Sequence, residues 1–523
     1  MKAKSVSRRR GLLDFGIAGI ASAAVLFAVA QFVSAFFATA SAPVVAMGGV
    51  FIDLTPPWLK DLAIATFGTN DKLALFISIG IVVLVIAGLV GVLARKSLAA
   101  ASACIVLLAI GIGAAIFSRP ATGAADLTPL AIGTVAGLLA LRWLSALAGR
   151  GLAPDHALST DPEYQTGSTR RKFLLGAGLS LVGAAIVAGV GQSLATARNV
   201  ADAARLALGL PPAKVRVAAV PAGAQVDVAG MPPFVTPNKD FYRIDTALSV
   251  PQINPADWSL RVHGMVENEF TINFEDLLKT DLVETYLTLT CVSNPVGGQL
   301  VGNAKWLGYP LRSILERAVP QAGADMVLST SYDGFSASTP LEVLTDNRMA
   351  LLAVGMNDEP LPLEHGFPVR MVVPGLYGFV SATKWVVDLE VTRFADKAAY
   401  WSTRGWSDHG PIKMSSRVDV PRSFAKVGSG EVVMGGTAWS QTQGISGVQV
   451  QIDDGEWLDA ELGSEVSLDT WRQWRYVWKG GSTGNHTVSV RAIDGHGTVQ
   501  SSDKADPAPN GSSGWQRVQF SVE

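Results

Sequence analysis

Residues 284–298 read ETYLTLTCVSNPVGG. Polar and apolar residues alternate up to Thr290, the period-two pattern of a half-buried strand. Cys291 ends that strand where a Pro- and Gly-bearing loop begins. Working outward, WSLRVHGMV (258–266) alternates in the same way, while FEDLLKT (274–280) and PLRSILERAV (310–319) have the spacing of short helices. Short strands mixed with short helices, at high Pro and Gly content, predict an α+β domain over 231–410 rather than a doubly wound sheet. No GxGxxG or Walker sequence occurs in it, so a nucleotide cofactor has no local support.

On either side the texture changes. From 411 onward, GVQVQIDDG (447–455), HTVSVRAIDG (486–495) and WQRVQFSVE (515–523) alternate strictly, with hairpin turns at Asp454-Gly455 and Asp494-Gly495. Even spacing of short strands predicts an immunoglobulin-like sandwich over 411–523. Residues 196–230 read as a linker: a helical piece (201–210), Pro211-Pro212, then extended chain. The first 195 residues carry the apolar excess behind a mean hydropathy of +0.30. Stretches at 12–38, 73–94, 98–117, 127–148 and 173–194 each approach the ~20 apolar residues that cross a bilayer. The Gly- and Ala-rich last stretch suits close helix contact in lipid, and the Pro-broken 39–72 reads as an extracytoplasmic loop. Lys2, Lys4, Arg8, Arg9, Arg10, Arg95, Lys96, Arg150, Arg170, Arg171 and Lys172 fall on one side, against Lys60, Lys72 and Arg119 on the other. That bias puts the N-terminus in the cytoplasm and everything after the fifth stretch outside. Arg170-Arg171 before Phe173-Leu174 resembles a twin-arginine export signal, and serves equally as a positive-inside anchor.

Composition removes several functions. A net charge of −2 argues against a nucleic-acid partner. All six histidines (156, 263, 365, 409, 486 and 496) lie outside the apolar stretches, and there is no CxxCH, so a haem held by paired imidazoles within the spans is excluded. The two cysteines, Cys104 and Cys291, lie in the apolar and polar halves and form no disulfide framework. Three readings of Cys291 stay open on the residues alone: a buried thiol, a nucleophile partnered by His365, or a soft thiolate ligand to a metal. No cluster of His, Cys or carboxylates surrounds it, so a metal there takes its other ligands from a cofactor. Arg370 and Lys384 flank strands and serve equally as surface residues. Asp245 and Asp333 serve equally as turn caps.

TLTCVSNPVGG (288–298), AKWLGYPLRSIL (304–315), FYRID (241–245) and, most specifically, HGFPVRMVVPG (365–375) resemble the sulfite oxidase family. The resemblance spans about 231–523. It implies a molybdenum–molybdopterin cofactor, with Cys291 as the protein's metal ligand. It also implies that His365 and Arg370 hold the pterin and that Ser381, Thr383 and Lys384 hold its phosphate end. Tyr242, Arg243 and Asp245 fall where the family's arginine-bearing segment meets cofactor or substrate, and Asp333 near a further pterin contact. A C-terminal sandwich of this kind often mediates dimers.

Three departures bear on the substrate. The loop after Cys291 lacks the family's arginine pair, the stretch from Cys291 to Trp306 is shorter and loses a pocket tryptophan, and the active-site tyrosine falls on Trp406. Of the anion-binding cluster that sulfite demands, Arg243 remains, with Arg404 and Arg475 as additions. The expectation is a membrane-anchored oxidoreductase of the bacterial cell membrane. It moves an oxygen atom to or from a small extracytoplasmic substrate, sulfite-like or sulfoxide-like, with Trp406, Arg404 and Arg243 shaping the pocket. Electrons pass to or from a separate carrier. Two rivals are a cysteine hydrolase using Cys291 and His365, and a non-catalytic surface protein binding a partner through its sandwich.

Overall fold

The computed structural model describes residues 2–37, 41–56, 59, 66, 71–118, 122–150, 162–197 and 200–523. Lys60, Arg119 and His156 lie outside the described residues. Contacts divide the chain into a helical unit (Met1–Asn199 with Ala247–Gln252) and a β-rich unit (Val200–Thr246 with Ile253–Glu523).

The helical unit contains α1 (Lys2–Ser34), α2 (Pro43–Leu54), α3 (Asp71–Ala94), α4 (Leu98–Phe117), α5 (Thr128–Arg150) and α6 (Pro162–Ala197). Five segments are long and apolar enough to cross a membrane: Gly11–Ser34, Ala74–Ala94, Leu98–Phe117, Ala124–Gly149 and Arg170–Leu194. Small residues explain why α1 is central. Ala18, Ala21, Ser22 and Ala30 are buried. A Cβ on Gly19 would stand 2.7 Å from the Gly91 Cα of α3, and one on Gly133 of α5 would stand 2.7 Å from the Ala30 Cβ. Backbones that approach this closely gain dispersion energy along the contact. In α6 the expected glycine contacts are made at Gly176 against Trp143 and at Gly191 against Phe32, whereas Gly178, Gly183 and Gly189 face open space. Leu89, Leu107, Leu139 and Leu179 point outward from the bundle, as suits a lipid-facing surface. Arg170 of α6 stands 3.9 Å from Asp14 of α1. The helix α2 was not expected within 39–72. Its proline sits at the first turn, where a missing N–H costs nothing, and no other proline interrupts the run before Pro56.

In the β-rich unit the strands come in chain order as β1 (Ser259–Gly264), β2 (Phe270–Asn273), β3 (Val283–Thr290), β4 (Val301–Pro310), β5 (Met326–Ser331), β6 (Ser336–Pro340), β7 (Leu351–Met356), β8 (Glu359–Pro360), β9 (Arg370–Val372) and β10 (Val386–Thr392). One sheet has the order β2-β1-β10-β5-β6, with β1 and β10 parallel. The other runs β3-β4-β7-β8, with β9 on β7. Short helices at Phe274–Leu278 and Leu311–Ala318 complete the α+β arrangement. The stretch read as a linker is not free along its length. Val215 pairs in parallel with Val283 on the outer edge of β3, through Lys214 N–H to Leu282 O (2.8 Å) and Glu284 N–H to Val215 O (2.9 Å).

Beyond 410 come β11 (Ser415–Val420), β12 (Lys426–Val427), β13 (Gly430–Trp439), β14 (Ile445–Ile452), β15 (Trp457–Asp459), β16 (Glu461–Leu462), β17 (Arg472–Gly481), β18 (Gly484–Asp494) and β19 (Gln516–Val522). They make two sheets, β11-β13-β17-β16 and β12-β19-β18-β14-β15. Alternating residues from both sheets meet in one core of Met434, Trp474, Val448, Val450, Val490 and Phe520. The hairpin that links β14 to β15 turns one residue earlier than expected, at Asp453-Asp454, both at positive φ (49° and 61°), with Gly455 N–H donating to Ile452 O (2.9 Å). A second core, Phe234, Val301, Trp439 and Trp471, joins this region to the strand after the Cys291 loop. That packing explains a departure from simple alternation in β3: Leu287 through Thr290 are buried on both faces.

Candidate functional site

The end of β3 and the loop after it are closed by their own backbone. Cys291 N–H donates to Leu300 O (3.0 Å), Asn294 N–H to Cys291 O (3.1 Å) and Leu300 N–H to the Asn294 side chain (2.9 Å). Cys291 is thereby fixed in the wall of a cavity holding about 920 Å³ of atom-free space, its open mouth included. The same wall carries Tyr242, Asp245, Asp333, His365, Arg370, Lys384 and Trp406, which are scattered from 242 to 406 in sequence.

The HGFPVR segment shows how the sequence places two cations side by side. Gly366 lies at φ +111°, and a Cβ there would stand 2.9 Å from the Arg370 Cβ and 3.2 Å from the Lys384 Cβ. Only glycine suits both the turn and the close approach. Arg370 and Lys384 then pair across an antiparallel bridge. Arg370 is buried and donates to the carbonyls of His365 (3.1 Å), Met371 (3.3 Å) and Ala382 (3.4 Å). Among the described residues no carboxylate pairs with it, and burial pulls its guanidinium down to about 10. Lys384 Nζ donates to Asp245 (2.7 Å) and to Glu364 O (2.9 Å), while Arg243 Nε reaches the same Asp245 oxygen at 2.8 Å.

His365 Nε2 lies 3.1 Å from Asn238 O, a pure acceptor, so Nε2 carries the hydrogen and Nδ1 is the acceptor. Burial, then the Arg370 charge, lowers this imidazole to about 4, so it is neutral at ordinary pH. Burial pushes the Cys291 thiol up, against hydrogen bonds from Ser293. Burial likewise raises Asp333, which Ser331 contacts, and raises Tyr242.

Not every expected residue reaches the cavity. Ser381 is fully buried and donates to Leu376 O and Tyr377 O, and the Thr383 hydroxyl pairs with Ser329 (2.7 Å). Both side chains brace the turn before Lys384 instead of lining the cavity. Arg404 lies 3.5 Å over the Tyr400 ring and donates to Tyr400 O, and Arg475 pairs with Glu461 in the C-terminal sheet. Sequence reading missed Phe335, Phe379 and Trp401, which line the cavity together with Trp406. Trp401 stands in YWSTRGW beside the tryptophan that was singled out, and Phe335 follows the Ser-Tyr-Asp-Gly turn that carries Asp333, so both signals were adjacent.

The donor set answers what such a cavity can hold. Among the described residues no group of three or more His, Cys, Asp or Glu could hold a metal. A metal on the Cys291 sulfur must bring its other ligands, and coordination would deprotonate the thiol that burial keeps neutral. A buried guanidinium without a carboxylate, beside a lysine, calls for an anion such as a phosphate. An anionic organic group carrying a soft metal fits these residues. A catalytic cysteine fits them poorly, since it needs a lowered thiol pKa, and no hydrogen bond joins Cys291 to His365.

Lys384 makes this electrostatic reading testable. Burial lowers its ammonium to about 8, outweighing the pull of Asp245. The group is charged below that pH and loses its proton as pH rises through it, while an unfolded lysine stays charged to about 10.4. Between those values the unfolded chain binds more protons, so this group's share of stability rises with pH. Anion binding runs the other way. Sulfate affinity of the cofactor-free protein should fall roughly tenfold between pH 7 and pH 9 by calorimetry, and Lys384→Met should flatten that dependence.

A model described as the oxidoreductase molybdopterin binding domain matches residues 247–401. Mitochondrial sulfite oxidase of Mus musculus is 29% identical over 290 residues, covering 46% of this chain and 52% of that protein. The catalytic subunit MsrP, a protein-methionine-sulfoxide reductase of Ralstonia nicotianae, is 30% identical over 278 residues, covering 48% of this chain and 77% of that one. An uncharacterized oxidoreductase of Bacillus subtilis, YuiH, is 31% identical over 153 residues, with 29% and 74% covered. The chain spans about half the length of the sulfite oxidases it matches. With the cavity's chemistry and these likenesses together, the chain belongs to the sulfite oxidase family of molybdopterin-dependent oxidoreductases.

Proposed function

We propose that this chain is a membrane-anchored oxidoreductase transferring an oxygen atom between water and a small sulfur compound outside the cytoplasm, and that a sulfoxide is its substrate. The observation that carries the choice is the lining of the cavity. Phe335, Phe379, Trp401 and Trp406 line it with Ile244, whereas Arg243, expected to shape the substrate pocket, is not among the lining residues and is paired with Asp245; the guanidinium in the wall, Arg370, is the one assigned to the pterin. Sulfite, a dianion, requires several unspent cations. A sulfoxide is neutral, with an apolar body that aromatic walls accommodate. The likeness to a protein-methionine-sulfoxide reductase supports the same reading.

When bound, the molybdenum–pterin group supplies the two-electron redox chemistry. The chain's own residues do the rest. Cys291 would give its thiolate to the metal, Arg370 and Lys384 would hold the anionic end of the pterin, and His365 would offer Nδ1 as an acceptor. Asp245 fixes Lys384 and Arg243 together. Asp333, its carboxyl raised by burial, lines the cavity and accepts from the Ser331 hydroxyl. The aromatic side chains of the lining exclude water and position the substrate.

The five apolar helices serve as the anchor over 1–195, with the N-terminus cytoplasmic and residues 231–410 and 411–523 outside. Arg170-Arg171 acts in twin-arginine export of the loaded domain. A separate carrier exchanges electrons with the site, and the two C-terminal sheets are an immunoglobulin-like sandwich through which two copies pair. The deciding experiment compares kcat/KM for sulfoxide reduction with a reduced viologen dye against kcat/KM for sulfite oxidation with ferricyanide. The expected outcome is preference for the sulfoxide by about 10²-fold, the discrimination one mismatched polar group imposes on a site. Preference for sulfite would overturn the substrate assignment and leave the cofactor assignment intact.

A further inference from the structure

The loop that carries Cys291 is gripped by chain that comes more than a hundred residues later. Arg417 of β11, 3% exposed in its side chain, is paired with Asp419 (2.8 Å) and donates Nη1 to Gly298 O (3.0 Å). The Ser512 hydroxyl donates to Asn294 O (2.7 Å). Gly297 lies at φ +75°, where a Cβ would stand 2.5 Å from the Gln516 side chain. On the strand side, Thr288 N–H donates to Asp469 O (3.1 Å), Trp471 N–H donates to the Thr288 hydroxyl (2.8 Å), and Gln441 Nε2 donates to Thr288 O. Every one of these partners belongs to the chain beyond 410. They hold the residue three before Cys291 and the loop three to seven after it.

We infer that the C-terminal sheets position the metal-binding thiolate, with Arg417 and Ser512 as positioning residues that fix the Cys291 loop. Two of the loop's carbonyls, at Asn294 and Gly298, accept from side chains that the buried Arg417–Asp419 pair and the 512 turn hold in place. Releasing either frees the loop to rotate about Cys291 while β3 stays paired to β4. The sulfur's angle toward the cavity then depends on residues more than a hundred positions away in sequence. The metal part of this inference rests on the proposed role of Cys291; the mechanical part does not.

The test uses the full chain in detergent, cofactor-free and loaded, as Ser512→Ala and Arg417→Met. Arg517→Met is the control, because Arg517 pairs with Asp454 on the outer face of the same region. In the cofactor-free protein, amide exchange across 291–300 should speed up about 3- to 10-fold for Ser512→Ala, the loss of one net hydrogen bond, and more for Arg417→Met, with the control unchanged. In the loaded protein the electron-spin-resonance g-values of the metal should shift while metal content stays constant. Exchange within about twofold of the parent in Ser512→Ala overturns the inference, whether or not Arg417→Met folds. Faster exchange with an unshifted resonance would keep the mechanical link and overturn the positioning of the thiolate, while the role of Cys291 as ligand is read separately from Cys291→Ser.

Discussion

Cys291→Ser is expected to yield a folded protein whose turnover falls by more than about 10²-fold, beyond the 10- to 100-fold typical of residues one shell out from a metal. The substitution changes one atom in a wall already closed by backbone hydrogen bonds, so the loop has no reason to rearrange. What changes is the donor. A serine oxygen is hard and holds its proton far above neutrality, whereas a thiolate is soft and suits a metal already bound to sulfur. Among the described residues no group of three or more His, Cys, Asp or Glu could hold the metal in its place. Pterin content should persist, because its anionic end is held elsewhere, while the resonance of the metal changes. Parent-level turnover with an unaltered resonance would remove the cysteine from the metal site.

The second large effect is expected at Arg370, with opposite signs in the two forms of the protein. Without cofactor this guanidinium is buried, lacks a carboxylate and is satisfied by three carbonyls at 3.1–3.4 Å. Removing an imperfectly compensated buried charge in favour of an apolar side chain of similar length is often stabilising by about 1–4 kcal/mol. Arg370→Met should therefore raise the unfolding temperature of the cofactor-free protein. It should also weaken cofactor retention by about 10- to 150-fold, since a hydrogen bond to a charged group contributes about 1.5–3 kcal/mol. Arg370→Lys should not restore binding, because a point charge does not reproduce a planar fork. The measurements are a thermal melt without cofactor and pterin release on dilution. A variant that is destabilised in the cofactor-free form and retains cofactor normally would show that Arg370 serves the fold alone.

The parts of this molecule that were legible in sequence were those written in local periodicity. The apolar stretches, the strand ending at Cys291 and the hairpin turns each depend on residues a few positions apart. The HGFPVR segment was legible because its chemistry is compact: Gly366 brings Arg370 beside Lys384. Three kinds of information were not local. The fates of Ser381 and Thr383 depend on whether a hydroxyl turns toward the cavity or toward Leu376 O and Ser329, which nothing in the neighbouring sequence specifies. Arg404 lies on Tyr400, four residues away, a choice between stacking and reaching inward that only packing decides. Both faces of β3 are buried because a region more than a hundred residues later lies against it, and alternation in a single strand cannot report that.

The course of residues 214–217 has a practical consequence. The outer edge of β3 is occupied at one end by Val215 and at the other by Asp469, so its amides and carbonyls are not offered to strangers. An uncapped strand edge recruits foreign chains. A soluble version freed of its helices should therefore begin ahead of Lys214. Started at 231, where the cofactor-bearing fold nominally opens, it would bare half of that edge and invite fibrous self-association through the very strand that leads to Cys291.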